Sequence, residues 1–119
     1  MTNIRSILSY EFAYTKVMNM KIVTICGSMK YEKQMQRIAF ELETKRGFNV
    51  LQCIYGLNKD RLTPQELSSL KQAQFERIDI SDAIYVVDID NYIGDSTKEE
   101  ISYAKQNGKE IIFHSDYNL

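Results

Sequence analysis

Apolar and polar positions fall into two rhythms along residues 21–114. Short, nearly unbroken apolar runs are separated by stretches in which apolar residues recur every three or four positions. The runs "KIVTICG" (21–27), "FNVLQCIYG" (48–56), "DAIYVVDI" (82–89) and "KEIIFH" (109–114) read as buried strands. Residues 31–46 place Met35, Ile38, Ala39 and Leu42 on one helical face, and Gly47 follows as a C-cap. A second helix opens with Thr63 as N-cap, Pro64 at its first position and Glu66 closing a capping box; it runs through Leu67, Leu70, Ala73, Phe75 or Arg77, and Ile78. A third spans 96–107, with Gly108 as its stop.

Strands spaced by helices predict an α/β three-layer sandwich of flavodoxin-like or Rossmann-like type, with a four- to five-stranded parallel sheet. Residues 20–119 form a single domain in this reading. Residues 1–19 stand apart as an N-terminal extension. Ile4, Ile7, Leu8 and Phe12 give it a loose helical stripe, which fits either a helix packed on the domain or a second subunit, or a poorly ordered segment. In such sheets, ligands bind beyond the carboxyl ends of the strands. Those ends are Gly27-Ser28-Met29, Tyr55-Gly56, the stretch from Asp88 to Asp95, and His114.

Composition narrows the function classes. Of 119 residues, 44% are hydrophobic and 26% charged, which is globular rather than disordered. Fifteen basic against sixteen acidic residues leave a formal charge of −1, without the basic excess of a nucleic-acid binder. No apolar run approaches the roughly 20 residues of a membrane span, and the N-terminus lacks the pattern of a signal peptide, so the expected location is cytoplasmic. Cys26 and Cys53 read as buried free thiols of a reducing compartment, and the single His114 has no neighbour with which to hold a metal.

The stretch "IGDSTKEEISYAKQNGK" (93–109) carries two adjacent glutamates. Ser96 and Glu99 have capping-box spacing, which gives Glu99 a structural account. Glu100 falls one position past the box, beside Ile101, and points across the helix start towards strands one and three. The helix dipole there favours its ionised form, and an ionised carboxylate beside a ligand can act as a nucleophile. In "CGSMK" (26–30), a strand ending in Gly-Ser offers backbone N–H groups and a hydroxyl to a phosphate or sugar, although neither a dinucleotide fingerprint nor a P-loop is present. Lys30 is either a further phosphate contact or solvated surface. Tyr92 either stacks on a base or sugar or packs on its own helix.

"CGSM", "ISDAIYVVDIDNYIGDSTKEEISYA" and "GKEIIF", in that order, resemble the nucleoside 2-deoxyribosyltransferase-like superfamily over residues 21–114. The resemblance implies base exchange on deoxyribosides or cleavage of deoxynucleoside 5′-monophosphates, without a metal or organic cofactor. It makes Glu100, in "EISYA", the nucleophile that attacks the anomeric carbon. Gly27, Ser28 and Met29 then match the sugar- or phosphate-binding turn, with Tyr92, Gly94 and Ser96 as further ligand contacts. A homo-oligomer is implied as well. The chain departs from the family pattern at three places. Ser96 to Glu100 replaces G-x-G-x-E, Thr24 stands where the family has a tyrosine, and Gln74 stands where it has a helper aspartate. Asp88 or Asp95 would then handle the proton.

Two other readings stand beside this one. The same cleft could hold a nucleotide without turnover, as a sensing module. The cytokinin-activating phosphoribohydrolases also begin with a "CGS" strand end, but their P-G-G-x-G-T-x-x-E segment has only "GDSTKEE" as its counterpart here.

Overall fold

The computed structural model describes residues 21–119, so the expected N-terminal extension lies outside the described residues. Four parallel strands, β1 (Ile22–Gly27), β2 (Asn49–Leu51), β3 (Ala83–Val87) and β4 (Glu110–Phe113), form one sheet in the order β2-β1-β3-β4. Between them run α1 (Glu32–Arg46), α2 (Pro64–Asp79) and α3 (Asp95–Gln106). The three-layer α/β arrangement expected from the two rhythms is the one observed.

Each face of the sheet has its own core. On one side Met35, Ile38, Ala39 and Leu42 of α1 pack on Val23, Ile25, Tyr85 and Val87, with Tyr117 and Leu119 of the C-terminal tail beside them. On the other, Ile78 of α2 and Ala104 of α3 close over Cys26, Ile84 and Val86. Strand residues buried on both sides explain the unbroken apolar runs. The order places β1 and β3 side by side at the centre, with crossovers leaving in opposite directions. The space beyond their carboxyl ends is the switch point where such sheets bind ligands.

Local signals hold where they are self-contained. Gly47 ends α1 with φ 68°, in the left-handed region. At the start of α2, Thr63 Oγ1 accepts from the Glu66 N–H (3.1 Å), and the Glu66 carboxylate accepts from the Thr63 N–H (2.9 Å). This hydrogen bonding holds the Glu66 carboxyl below its ordinary range. At the base of the sheet the Asp82 carboxylate accepts the Ile22 N–H at 2.8 Å.

Two expectations are corrected. β2 ends at Leu51 rather than running to residue 56. The chain beyond it turns away, and the Gly56 N–H donates to the Glu32 carboxylate at the start of α1. The third helix begins at Asp95 with Gly94 as its N-cap, so Ser96 lies inside the first turn and forms no capping box with Glu99.

Candidate active site

Because β2 stops early, a cavity of about 300 Å³ opens beyond the carboxyl end of β1. Ile25 and Gly27 form its floor, with Met29 and Met35 beside them. The loop after β2 supplies Cys53, Ile54, Leu57 and Lys59. α2 contributes Leu67, Leu70, Lys71, Gln74 and Arg77, and α3 contributes Ser96 and Glu100. The apolar stripe of α2 is therefore divided. Ile78 seals the core, whereas Leu67 and Leu70 wall the cavity instead of packing on the sheet. The floor is tight at Gly27: a Cβ there would lie 3.2 Å from both Met35 Sδ and Val87 Cβ, so those side chains would have to yield by a few tenths of an ångström.

Glu100 is the carboxylate that the described residues bring to this cavity. Its Oε1 accepts from Gln74 Nε2 at 3.2 Å. Burial pushes its carboxyl above the ordinary value, and the Glu99 charge adds to the rise. The Cys26 thiol, the Gln74 amide and the Lys59 ammonium pull the other way. The helix dipole, expected to favour the ionised form, does not set this direction. Glu100 lies beyond the first turn of α3, where the dipole has faded, and desolvation outweighs it. Burial also raises the Cys26 thiol and, less completely enclosed, the Cys53 thiol.

Of the site residues expected from sequence, Gly27, Met29, Ser96 and Glu100 meet at the cavity. Ser28 caps the short 3-10 turn after β1, its Oγ accepting the Lys30 N–H at 3.3 Å. Gly94 caps α3, and Asp95 is exposed at that helix's first position. Neither lines the cavity. Asp88 is also elsewhere: its carboxylate accepts from the Ser115 N–H (2.8 Å) and Ser115 Oγ (2.6 Å), pinning the turn after β4. Tyr92 lies outside the cavity with the Lys30 ammonium 3.6 Å from its ring centroid and the Tyr31 ring edge-on at 6.3 Å. Asp90 and Asn91, with φ of 55° and 59°, bend the loop that carries it.

Thr24 is buried away from the cavity. Ser81 Oγ donates to the Arg77 carbonyl (2.7 Å), so the Thr24 hydroxyl is the donor in its 2.7 Å contact with Ser81 Oγ. The cations of the cavity wall, Lys59, Lys71 and Arg77, were not singled out in the sequence. The one signal was the unsettled choice between Phe75 and Arg77 on the α2 face. Among the described residues no group of three His, Cys, Asp or Glu could hold a metal ion, and no helix is long and apolar enough to cross a membrane.

No family model matches the sequence, and neither does any curated protein sequence. Among solved structures, the chain is similar to the Clostridium botulinum CMP N-glycosidase BcmB, with 20% identity and a TM-score of 0.50. The match covers 78% of this chain and 70% of that one. At that identity the likeness is one of fold.

Proposed function

We propose that this protein is an N-glycosidase of the nucleoside 2-deoxyribosyltransferase-like type, cleaving the base–sugar bond of a nucleoside or nucleoside 5′-monophosphate through Glu100. The observation that carries the reading is a partly buried, hydrogen-bonded carboxylate in a cavity at the carboxyl end of the central strand. The fold likeness to a CMP N-glycosidase supports it. A cavity of about 300 Å³ is at the small end of ligand sites, suited to a nucleoside-sized molecule.

In this mechanism a Glu100 oxygen attacks the anomeric carbon as the carbon–nitrogen bond breaks. The electron pair of that bond leaves with the base, and a glycosyl ester remains on Glu100. Water then attacks the same carbon, the ester carbon–oxygen bond breaks, and Glu100 regains its charge. The proton lost by the water balances the one taken up by the departing base. Transfer differs only in that a second base replaces water. Ile54, Leu57 and Leu67 offer apolar surface to the base and sugar, and Lys59, Lys71 and Arg77 offer positive charge to a phosphate. Asp88 and Asp95 line no part of the cavity, so solvent is the proton source in this reading.

The test is incubation with a panel of ribo- and deoxyribonucleosides and their 5′-monophosphates, following free base by chromatography, with Glu100→Ala in parallel. Base release by the wild type and its loss in the variant are expected. No release from any substrate overturns the reading. A nucleotide that still raised the melting temperature would then assign the cavity to binding without turnover.

A further inference from the structure

Gln74 is a buried polar residue in the middle of α2, 8% exposed, and both ends of its amide are hydrogen-bonded. Nε2 donates to the Ile25 carbonyl at 3.2 Å and to Glu100 Oε1 at 3.2 Å, and lies 3.7 Å from Cys26 Sγ. Oε1 accepts from Arg77 Nη1 at 3.0 Å, one helical turn along. The opposite amide orientation would set Oε1 against two acceptors, the Ile25 carbonyl and Glu100, and the NH2 group against the Arg77 guanidinium, so these three contacts would be repulsive. The orientation is therefore fixed by its neighbours.

The Ile25 contact follows from the fold. Lys21 directs its carbonyl to β2, where the Asn49 N–H meets it at 2.9 Å. Alternation along the strand sends the Ile25 carbonyl the same way. β2 ends at Leu51, the partner of Thr24, so the strand stops before it can supply an N–H to the Ile25 carbonyl, and Gln74 takes the vacated place.

We propose that Gln74, locked in one orientation by Arg77, is a positioning residue that holds Glu100 Oε1, leaving Oε2 as the attacking oxygen and keeping the carboxylate ionised inside the cavity. This rests on the reading of Glu100 as nucleophile. The charged and titratable groups around Glu100 are Cys26 on β1, Cys53 and Lys59 on the loop after β2, Lys71 and Arg77 on α2, and Glu99 on α3. Burial opposes the anionic form, and Gln74 supplies an N–H donor that does not itself titrate. Lys71 is engaged by Glu99, and Arg77 reaches Glu100 through the Gln74 amide.

The test uses Gln74→Met, Gln74→Glu and Arg77→Met in the full chain, with two readouts. One is the Glu100 titration, followed by carbon NMR of the glutamate carboxyl and assigned with Glu100→Gln. The other is the pH dependence of kcat/KM for base release. In Gln74→Met the Glu100 midpoint should rise by about one pH unit. The acid limb of kcat/KM should rise by the same interval, with kcat about 10- to 100-fold lower at neutral pH and KM changed less. Gln74→Glu should be worse, since a second carboxylate replaces the donor. Arg77→Met should give a smaller shift in the same direction, and it keeps the test open if the Gln74 variants fail to fold. A Glu100 titration unmoved in Gln74→Met and Arg77→Met, or a fall in kcat with the acid limb in place, overturns the proposal. If the wild type releases no base, the nucleophile reading fails. A titration still displaced in the variants would then show that Gln74 controls the charge of Glu100 independently of that reading.

Discussion

The ammonium of Lys71 lies 2.5 Å from the carboxylate of Glu99, joining α2 to α3 beside the cavity, one residue from the inward-facing Glu100. Consecutive helix residues diverge by about 100° around the axis, so two adjacent glutamates meet different surroundings. Glu99 is more than half exposed, and an ion pair of this kind contributes about 0–1 kcal/mol. Glu100 is turned into the cavity and pays for its position in desolvation. The doubled glutamate is thus one surface residue and one cavity-lining residue.

Substituting Glu100 by Gln separates charge from shape. The folded-state pKa of Glu100 lies above its unfolded value, about 4.3 for a glutamate. Its stabilising contribution is therefore fully present below about pH 4.3 and is lost as pH rises through the folded-state value. Melting temperatures of wild type and Glu100→Gln should be close near pH 4, and the variant should gain on the wild type as pH rises towards neutrality. A wild type that gains on the variant over that interval would contradict the burial argument.

The two thiols should differ in reactivity. Cys26 is 1% exposed under the α2–α3 layer, whereas Cys53 lines the cavity and is half-buried. Burial raises both, which disfavours the reactive thiolate. At pH 8 an aromatic disulfide reagent should modify Cys53 alone, more slowly than a free thiol, and Cys26 only after unfolding. A nucleotide that occupies the cavity should slow the first reaction. Rapid modification of both thiols in the native protein would be incompatible with this packing.

Asp88→Ala should loosen the C-terminal turn. The carboxylate satisfies both the N–H and the hydroxyl of Ser115, and its removal leaves these groups without that partner. A loss of about 1–3 kcal/mol is expected, read from denaturant unfolding. Lost base release with unchanged stability would instead give Asp88 the proton-handling part that its position in the sequence implies.

Amino-acid sequence alone determined what depends on neighbours a few residues apart. The α1 face of Met35, Ile38, Ala39 and Leu42, the Thr63–Glu66 box and the Gly47 stop are each written within one or two turns of chain, and each forms as read. The central strands β1 and β3 were legible as nearly unbroken apolar runs, since both of their faces are buried. The order of the four strands was not, nor was the end of β2. An apolar run continues in sequence past Leu51, and only the path of the chain towards Glu32 decides that pairing stops. Glu100 was singled out by the family resemblance of "EISYA", whereas the local account that set Glu99 aside, a capping box with Ser96, does not form. The partners of Glu100 were not identifiable: Gln74 lies 26 residues away and Arg77 acts through it, and both reach the cavity because α2 and α3 share one face of the sheet. Contacts of that kind follow from which elements pack together, and the packing is decided by the whole core rather than by any segment of it.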